Sequence, residues 1–209
     1  GVISGTGIVN QIGAGTTVLS GANTYSGNTN VNSGTLQAGA ANTFSPNSTI
    51  TVASGATLNL NGNNQVVAGV VNGGTINLPA GSTAGTELAI KGAGYTGNGG
   101  TVVMNTVFGD DTSATDHLTL DGGHASGSST LLFKRVGGTG AATTTGIDVV
   151  QTKNGGTTDA GAFSLSPNSD GYRPSAGVLT AGPYDYSLKR GGNGGVAEEL
   201  GGSFGDRAC

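Results

Sequence analysis

The sequence predicts an all-β chain wound into a parallel β-helix, and three observations carry that prediction. One phrase recurs: Val31-Asn32-Ser33-Gly34-Thr35-Leu36-Gln37-Ala38, then Val52-Ala53-Ser54-Gly55-Ala56-Thr57-Leu58-Asn59-Leu60, then Val71-Asn72-Gly73-Gly74-Thr75-Ile76-Asn77-Leu78. Its anchor glycines Gly34, Gly55 and Gly74 return about every 20 residues, the self-similarity of a solenoid. No ten-residue stretch has helical periodicity, whereas apolar and polar residues alternate as they do on half-buried strands. Glycine supplies 42 of the 209 residues without a Gly-X-Y period, which excludes collagen and leaves a turn-rich chain. A β-sandwich is the alternative architecture for many short strands.

Taken in order, Gly1 to Gly15 reads as a frayed first coil, and Thr16–Ser20 as the first full strand. Residues 21–27, rich in Gly and Asn, form a turn because both adopt positive φ cheaply. In the three copies, Leu36/Ala38, Leu58/Leu60 and Ile76/Leu78 share the inward face, with Gln37, Asn59 and Asn77 outward. Stacking the copies about 4.8 Å apart puts the aliphatic side chains in one interior column. Ala56, an extra residue in the second copy, belongs in the turn, since a one-residue slip within a strand would turn the core outward. Beyond Glu87 the predicted strands are 87–90, 100–104, 117–121, 129–133, 146–150, 162–165 and 184–188, with Gly99-Gly100 as a turn between the first two. Residues 166–175, with Pro167 and Pro174, read as an exposed hairpin. Most aromatic residues lie after residue 90, where an open solenoid end needs bulk to cover its core.

The chemistry is sparse. A net charge of −4 argues against nucleic acid, which is bound through clustered Lys and Arg, and Lys134-Arg135 and Lys189-Arg190 make no such patch. Gly92-Ala93-Gly94-Tyr95-Thr96-Gly97 fits G-x-G-x-x-G, but a dinucleotide site needs a helix next, and another strand follows. Asp116, His117, Asp121 and His124, with Asp110-Asp111 nearby, form the one candidate catalytic or metal cluster. His117 and Asp121 would face outward on one strand and share a cation, against the plainer reading of a solvated face with turn-forming aspartates. The carboxylates are too scattered for a polysaccharide lyase or hydrolase groove. We therefore expect no catalytic residue, no cofactor and no metal site. No run of 18 apolar residues is present. Gly1 is not an initiator, so the chain reads as a piece of something longer, and the single Cys209 as part of a tail of no structural meaning.

Ordered motifs from Asp116 to Gly192 carry a resemblance. They are Asp116-His117-Leu118-Thr119-Leu120-Asp121-Gly122, Ser129-Thr130-Leu131-Leu132-Phe133, Gly137-Gly138-Thr139-Gly140-Ala141, Thr145-Gly146-Ile147-Asp148-Val149-Val150, Ala160-Gly161-Ala162-Phe163-Ser164-Leu165 and residues 181–192, Ala-Gly-Pro-Tyr-Asp-Tyr-Ser-Leu-Lys-Arg-Gly-Gly. This succession resembles the C-terminal end of a pertactin-like passenger of a Gram-negative autotransporter (type V secretion). Residues 15–27, continuing to Gly34-Thr35-Leu36, resemble the autotransporter-associated repeat.

The resemblance implies a right-handed, three-faced parallel β-helix with a C-terminal capping segment, the autochaperone. Residues 1–94 would be the stem, 95–192 the autochaperone coils continuous with it, and 193–209 a tail that is disordered or foreign to the passenger. After Gly192 such passengers usually continue into a Trp-Tyr-Leu-like strand, and residues 193–209 show neither tryptophan nor that strand. The expected autochaperone core is Leu118, Leu120, Leu131, Phe133, Ile147, Val149, Phe163, Leu165, Tyr184, Tyr186 and Leu188. The resemblance further implies a chain exported through the periplasm and outer membrane to the bacterial cell surface, or secreted. It would nucleate β-helix folding and form the stem of a virulence factor or adhesin. Its partners would be its own outer-membrane β-barrel, the outer-membrane assembly machinery, and a host surface protein or glycan. The alternatives are a self-associating adhesive surface and a pectin-lyase-like enzyme.

Overall fold

The computed structural model describes residues 1–205; Cys209 and the last residues of the expected tail lie outside them. The first coils alternate two short strands: β1 (Val9–Gln11) and β2 (Thr16–Leu19), β3 (Thr29–Val31) and β4 (Thr35–Ala38), β5 (Thr49–Val52) and β6 (Thr57–Asn59). Longer elements follow: β7 (Gln65–Asn72), β8 (Thr75–Asn77), β9 (Glu87–Val107), β10 (His117–Asp121), β11 (His124–Gly137), β12 (Ile147–Lys153), β13 (Thr157–Thr158) and β14 (Phe163–Leu165). Four strands finish the described chain: β15 (Tyr172–Arg173), β16 (Val178–Ala181), β17 (Tyr184–Arg190) and β18 (Glu198–Phe204).

Three parallel ladders build the solenoid. The first joins β1, β3, β5, the second half of β7, the middle of β9, the start of β11, and β13. A second joins β2, β4, β6, β8, the ends of β9 and β11, and β14. The third begins only at residue 65 and joins the starts of β7 and β9, then β10 and β12. The architecture is thus the parallel β-helix that the 20-residue phrase predicts.

Coil length grows along the chain. Partners in the first ladder, Val9, Thr29, Ile50, Val70, Tyr95, Ala125 and Thr158, are 20, 21, 20, 25, 30 and 33 residues apart. The short early coils have turns where the third ladder would be, and these turns bury Tyr25 and Phe44 in place of a strand. Tyr25 keeps its hydroxyl satisfied there by Thr29 Oγ1 at 2.7 Å, which in turn meets Ser48 Oγ at 2.8 Å.

The second ladder carries the repeated phrase. Leu36, Leu58, Ile76, Val102, Leu131 and Leu165 occupy successive rungs of one inward column. Outside, Asn59 Nδ2 donates to Gln37 Oε1 and Asn77 Nδ2 to Asn59 Oδ1, each at 2.9 Å, so the polar face is cross-linked coil to coil.

Two local expectations differ from the structure. Gly99-Gly100 does not separate two strands: β9 is continuous over 21 residues and serves all three ladders in turn. Straight, it would span about 70 Å at the usual strand rise, so it must bend at the corners of the coil. Gly94 sits at one corner with φ +76°, and a Cβ there would come 2.3 Å from the carbonyl oxygen of His124. Only glycine lets the two coils approach so closely. The Gly92–Gly97 motif is therefore a corner of the solenoid, with no helix after it. Likewise the 166–175 hairpin lies further along, between β15 and β16, while Ser166 and Ser169 are buried and Ser169 Oγ accepts the Phe133 N–H at 3.0 Å.

Candidate functional site: the carboxy-terminal cap

The solenoid ends in an antiparallel sheet that grows out of its third ladder. β12 pairs in parallel with β10 and antiparallel with β18; β18 then pairs with β17, β17 with β16, and β16 with β15. The change of direction matters because the last coil of a solenoid has no following coil to cover its core.

The expectation of an unstructured tail from residue 193, without the final cap strand, fails for residues 198–204. They form β18, with seven register pairs to β17. Glu198-Glu199-Leu200-Gly201-Gly202 looks solvated as a sequence, yet all five residues are buried. Its glycines are there for clearance. A Cβ on Gly202 would lie 2.6 Å from the Tyr186 ring, and one on Gly201 2.7 Å from the Lys189 side chain. Strand-like alternation is erased where both charged and glycine positions are inside.

Most expected core residues are interior. Leu118, Leu120, Leu131, Phe133, Ile147, Val149 and Tyr186 are buried almost completely, and Phe163 is 4% exposed. Leu165, Tyr184 and Leu188 differ: they are only partly covered, and pack against the core from its rim. Leu165 is the last rung of its column among the described residues. On β17, Tyr186 lies over the core, while Tyr184 meets Phe204 edge-on at 5.7 Å.

Tyr186 is the principal tie between cap and coils. Its ring stacks on Phe108 at 5.1 Å, and its hydroxyl donates to Gly109 O at 2.8 Å and accepts from Ala141 N–H at 2.9 Å. Burial pushes its hydroxyl pKa up, which holds it in the protonated, donating form. Tyr95 makes a similar tie within the coils, its ring against Phe163 at 5.2 Å and its hydroxyl donating to Ser129 Oγ at 2.7 Å. Sequence reasoning missed Phe108, Tyr95, and the Arg173–Asp185 ion pair at 2.6 Å, which fastens β15 to β17. The aromatic bias after residue 90 was the available signal.

The candidate acidic–histidine cluster is dispersed. Asp116 is fully buried, accepting N–H groups of Gly85, Thr86 and Asn105 at 2.8–2.9 Å. Burial raises its pKa, against the pull of those bonds. His117 faces Glu87 at 3.8 Å, Asp121 accepts from Asn154 at 2.6 Å, and His124 meets Asp159 at 3.0 Å. His117 and Asp121 do share the outward face, but four residues of strand is about 13 Å, too far for one cation. Asp111 accepts N–H groups from Gly146, Thr144 and Thr145, which depress its pKa, and Asp110 closes a turn on Thr112. These carboxylates organise backbone.

Comparison with known proteins agrees with this anatomy. Residues 65–188 match the family model described as Autochaperone Domain Type 1, and residues 9–38 match the Passenger-associated-transport-repeat. The chain is 34% identical over 189 residues to the protein YuaQ of Escherichia coli (strain K12), covering 90% of this chain and 13% of that one. It is 34% identical over 198 residues to the adhesin BmaC autotransporter of Brucella suis biovar 1 (strain 1330), covering 92% of this chain and 5% of that one. The autotransporter adhesin AIDA-I of Escherichia coli is 30% identical over 119 residues, 56% of this chain and 8% of that one. The chain thus spans a small fraction of the length of the curated relatives it matches. Such passengers are exported across the outer membrane to the cell surface. With the autochaperone model matching more than half of its residues, the chain belongs to the autochaperone family and is a passenger region of a type V autotransporter.

Proposed function

We propose that this chain is the part of the passenger on which the rest of the β-helix is folded, and that its folding outside the cell helps draw the passenger across the outer membrane. The observation carrying this reading is the antiparallel β17–β18 pair built onto the last rung of a parallel ladder through β12. Parallel coils pair residues far apart in sequence, so their nucleation is slow. An end whose closing strands are near neighbours in the chain can form first and offer a finished edge to the next coil. Folding at the surface would oppose retreat without a nucleotide. The partners in this reading are the protein's own outer-membrane β-barrel and the assembly machinery that inserts it, and the chain itself performs no catalysis.

Surface display of the full-length precursor tests it. Replacing Phe133 and Tyr186 by alanine should reduce displayed passenger at least tenfold, whereas replacing His117 and Asp121 by alanine should leave display within twofold. Equal display in the two variants contradicts the reading.

An adhesive role is the second reading, favoured by two relatives whose names call them adhesins and by the outward Gln37, Asn59 and Asn77 column. It would show as a concentration-dependent sedimentation coefficient or as binding to host glycans, and it can coexist with the stem role.

A further inference from the structure

The third ladder begins at β7, so the edge of its first rung faces a turn of the preceding coil instead of a strand. Asn42 N–H donates to Asn64 O at 2.9 Å and Ala68 N–H to Ser48 O at 3.0 Å, so the even-numbered residues of this stretch turn their backbone groups toward that coil. Val66 lies between them and turns its N–H and C=O the same way, because alternate residues of a parallel strand bond to opposite neighbours. Neither group has a hydrogen-bond partner among the described residues. The turn has little to offer them: Phe44 N–H is taken by Gln65 Oε1 at 2.9 Å, and Pro46 has no N–H.

Between strand edge and turn runs a groove of about 340 Å³, lined by the apolar Ala22, Phe44, Pro46 and Val66 together with the exposed Lys91. Lys91 is the only Lys or Arg before Lys134, and it makes no hydrogen bond and no ion pair among the described residues. Glu87, the nearest carboxylate in the sequence, is held instead by Thr119 Oγ1 at 2.6 Å and faces His117 Nε2 at 3.8 Å. The groove thus brings together apolar walls, the free N–H and C=O of one strand residue, and one unneutralised ammonium. Small-molecule sites have this make-up, mostly apolar with a few convergent polar groups. An ammonium beside a backbone donor calls for a carboxylate, and the Val66 carbonyl calls for an N–H.

We propose that this groove binds an acylated amino acid, a molecule in which an apolar acyl chain is joined through a secondary amide to a residue with a free carboxylate. The N–H of that residue donates to Val66 O, and one carboxylate oxygen accepts from Val66 N–H. Both ligand groups lie on one edge of an extended residue, as in an antiparallel pair. The other carboxylate oxygen meets Lys91, and the acyl chain lies against Phe44 and Pro46. The carboxy-terminal residue of a peptide presents the same chemistry, and the experiment separates the two sources. The site stands apart from the folding role, because it is read on the early coils of the chain already folded.

The test is a titration of the purified, isotope-labelled folded chain with hexanoylglycine, followed by amide NMR shifts. The expected result is saturable, submillimolar binding that moves the Val66 amide and its groove neighbours. Binding should weaken tenfold or more for the methyl ester, which removes the charge, and for hexanoylsarcosine, which replaces the N–H by N–CH3. It should weaken equally in Lys91→Met and in Ala22→Trp, which fills the groove from an exposed position. An unchanged unfolding midpoint checks that both variants fold. The peptide Thr-Val-Thr-Val-Gly with a free carboxylate separates the sources: binding as tight as hexanoylglycine assigns the site to a chain terminus, and binding tenfold weaker assigns it to a free acylated amino acid. The proposal is overturned if hexanoylglycine does not saturate below millimolar concentration, or if the acid and its ester bind alike. It is overturned equally if hexanoylsarcosine, Lys91→Met or Ala22→Trp leaves binding unchanged.

Discussion

Two buried acids show how much a single residue decides in this chain. Glu198 has its pKa raised to about 7, chiefly by burial, with Arg190 pulling it down and Glu199 pushing it up. Its ordinary value is 4.5, so the folded state holds this proton more tightly than the unfolded one. The contribution of Glu198 to stability is therefore greatest below about pH 4.5 and declines as pH rises to about 7, by at most about 3 kcal/mol. Urea unfolding at pH 5 and pH 8 checks this: the wild-type chain should lose more stability over that interval than Glu198→Gln, and parallel profiles would contradict it. Asp116 acts oppositely in kind, as an acceptor for three backbone N–H groups. Asp116→Ala would strand those donors inside, at a cost of roughly 3 kcal/mol or more, read as a lower urea midpoint. Neither role was legible in the sequence. In the sequence Asp116 reads as a candidate ligand and Glu198 as tail, because burial of a charged side chain is set by partners that only the fold brings near.

At the scale of elements, position within a ladder governs what a side chain is worth. Leu58 and Leu165 belong to the same inward column, but Leu58 has coils on both sides and Leu165 on one. Leu58→Ala should cost about 3 kcal/mol, in the range for fully buried leucines, and Leu165→Ala about 1 kcal/mol. Chemical denaturation of the two variants decides it, and equal losses would mean that the rim is as tightly packed as the interior. The second-ladder strands were the most legible part of the fold, because the phrase 31–78 states their rung, their inward face and their turn in each copy. What escaped was continuity at corners. β9 bends through three faces with Gly94 and Gly99 at positive φ while its pairing resumes on the next face, and glycine at a bend reads in sequence as a turn that ends a strand. β18 escaped for the related reason that Gly201 and Gly202 give way to Lys189 and Tyr186 and so leave no hydrophobic pattern.

For the whole molecule, the gradient in coil size is the instructive feature. Early coils of about 20 residues have two ladder strands and a turn; later coils of 30 or more have three, and the last is closed by an antiparallel sheet. Of the fully buried aromatics, Tyr95, Phe108, Phe133 and Tyr186 lie beyond residue 90, and Tyr25 and Phe44 fill the early turns. Stability should therefore be concentrated at the carboxy-terminal end, where closing contacts are made, and should fade toward Ile8, Ile12 and Val18, which are exposed on the first coil. Export from that end would present the most stable coils first. Pulse-labelled hydrogen exchange during refolding of the chain tests this account most directly. Amides of β10, β12, β17 and β18 should become protected before those of β3 to β6. Protection that appears first in β3 to β6, or in all strands together, would contradict folding templated from the cap.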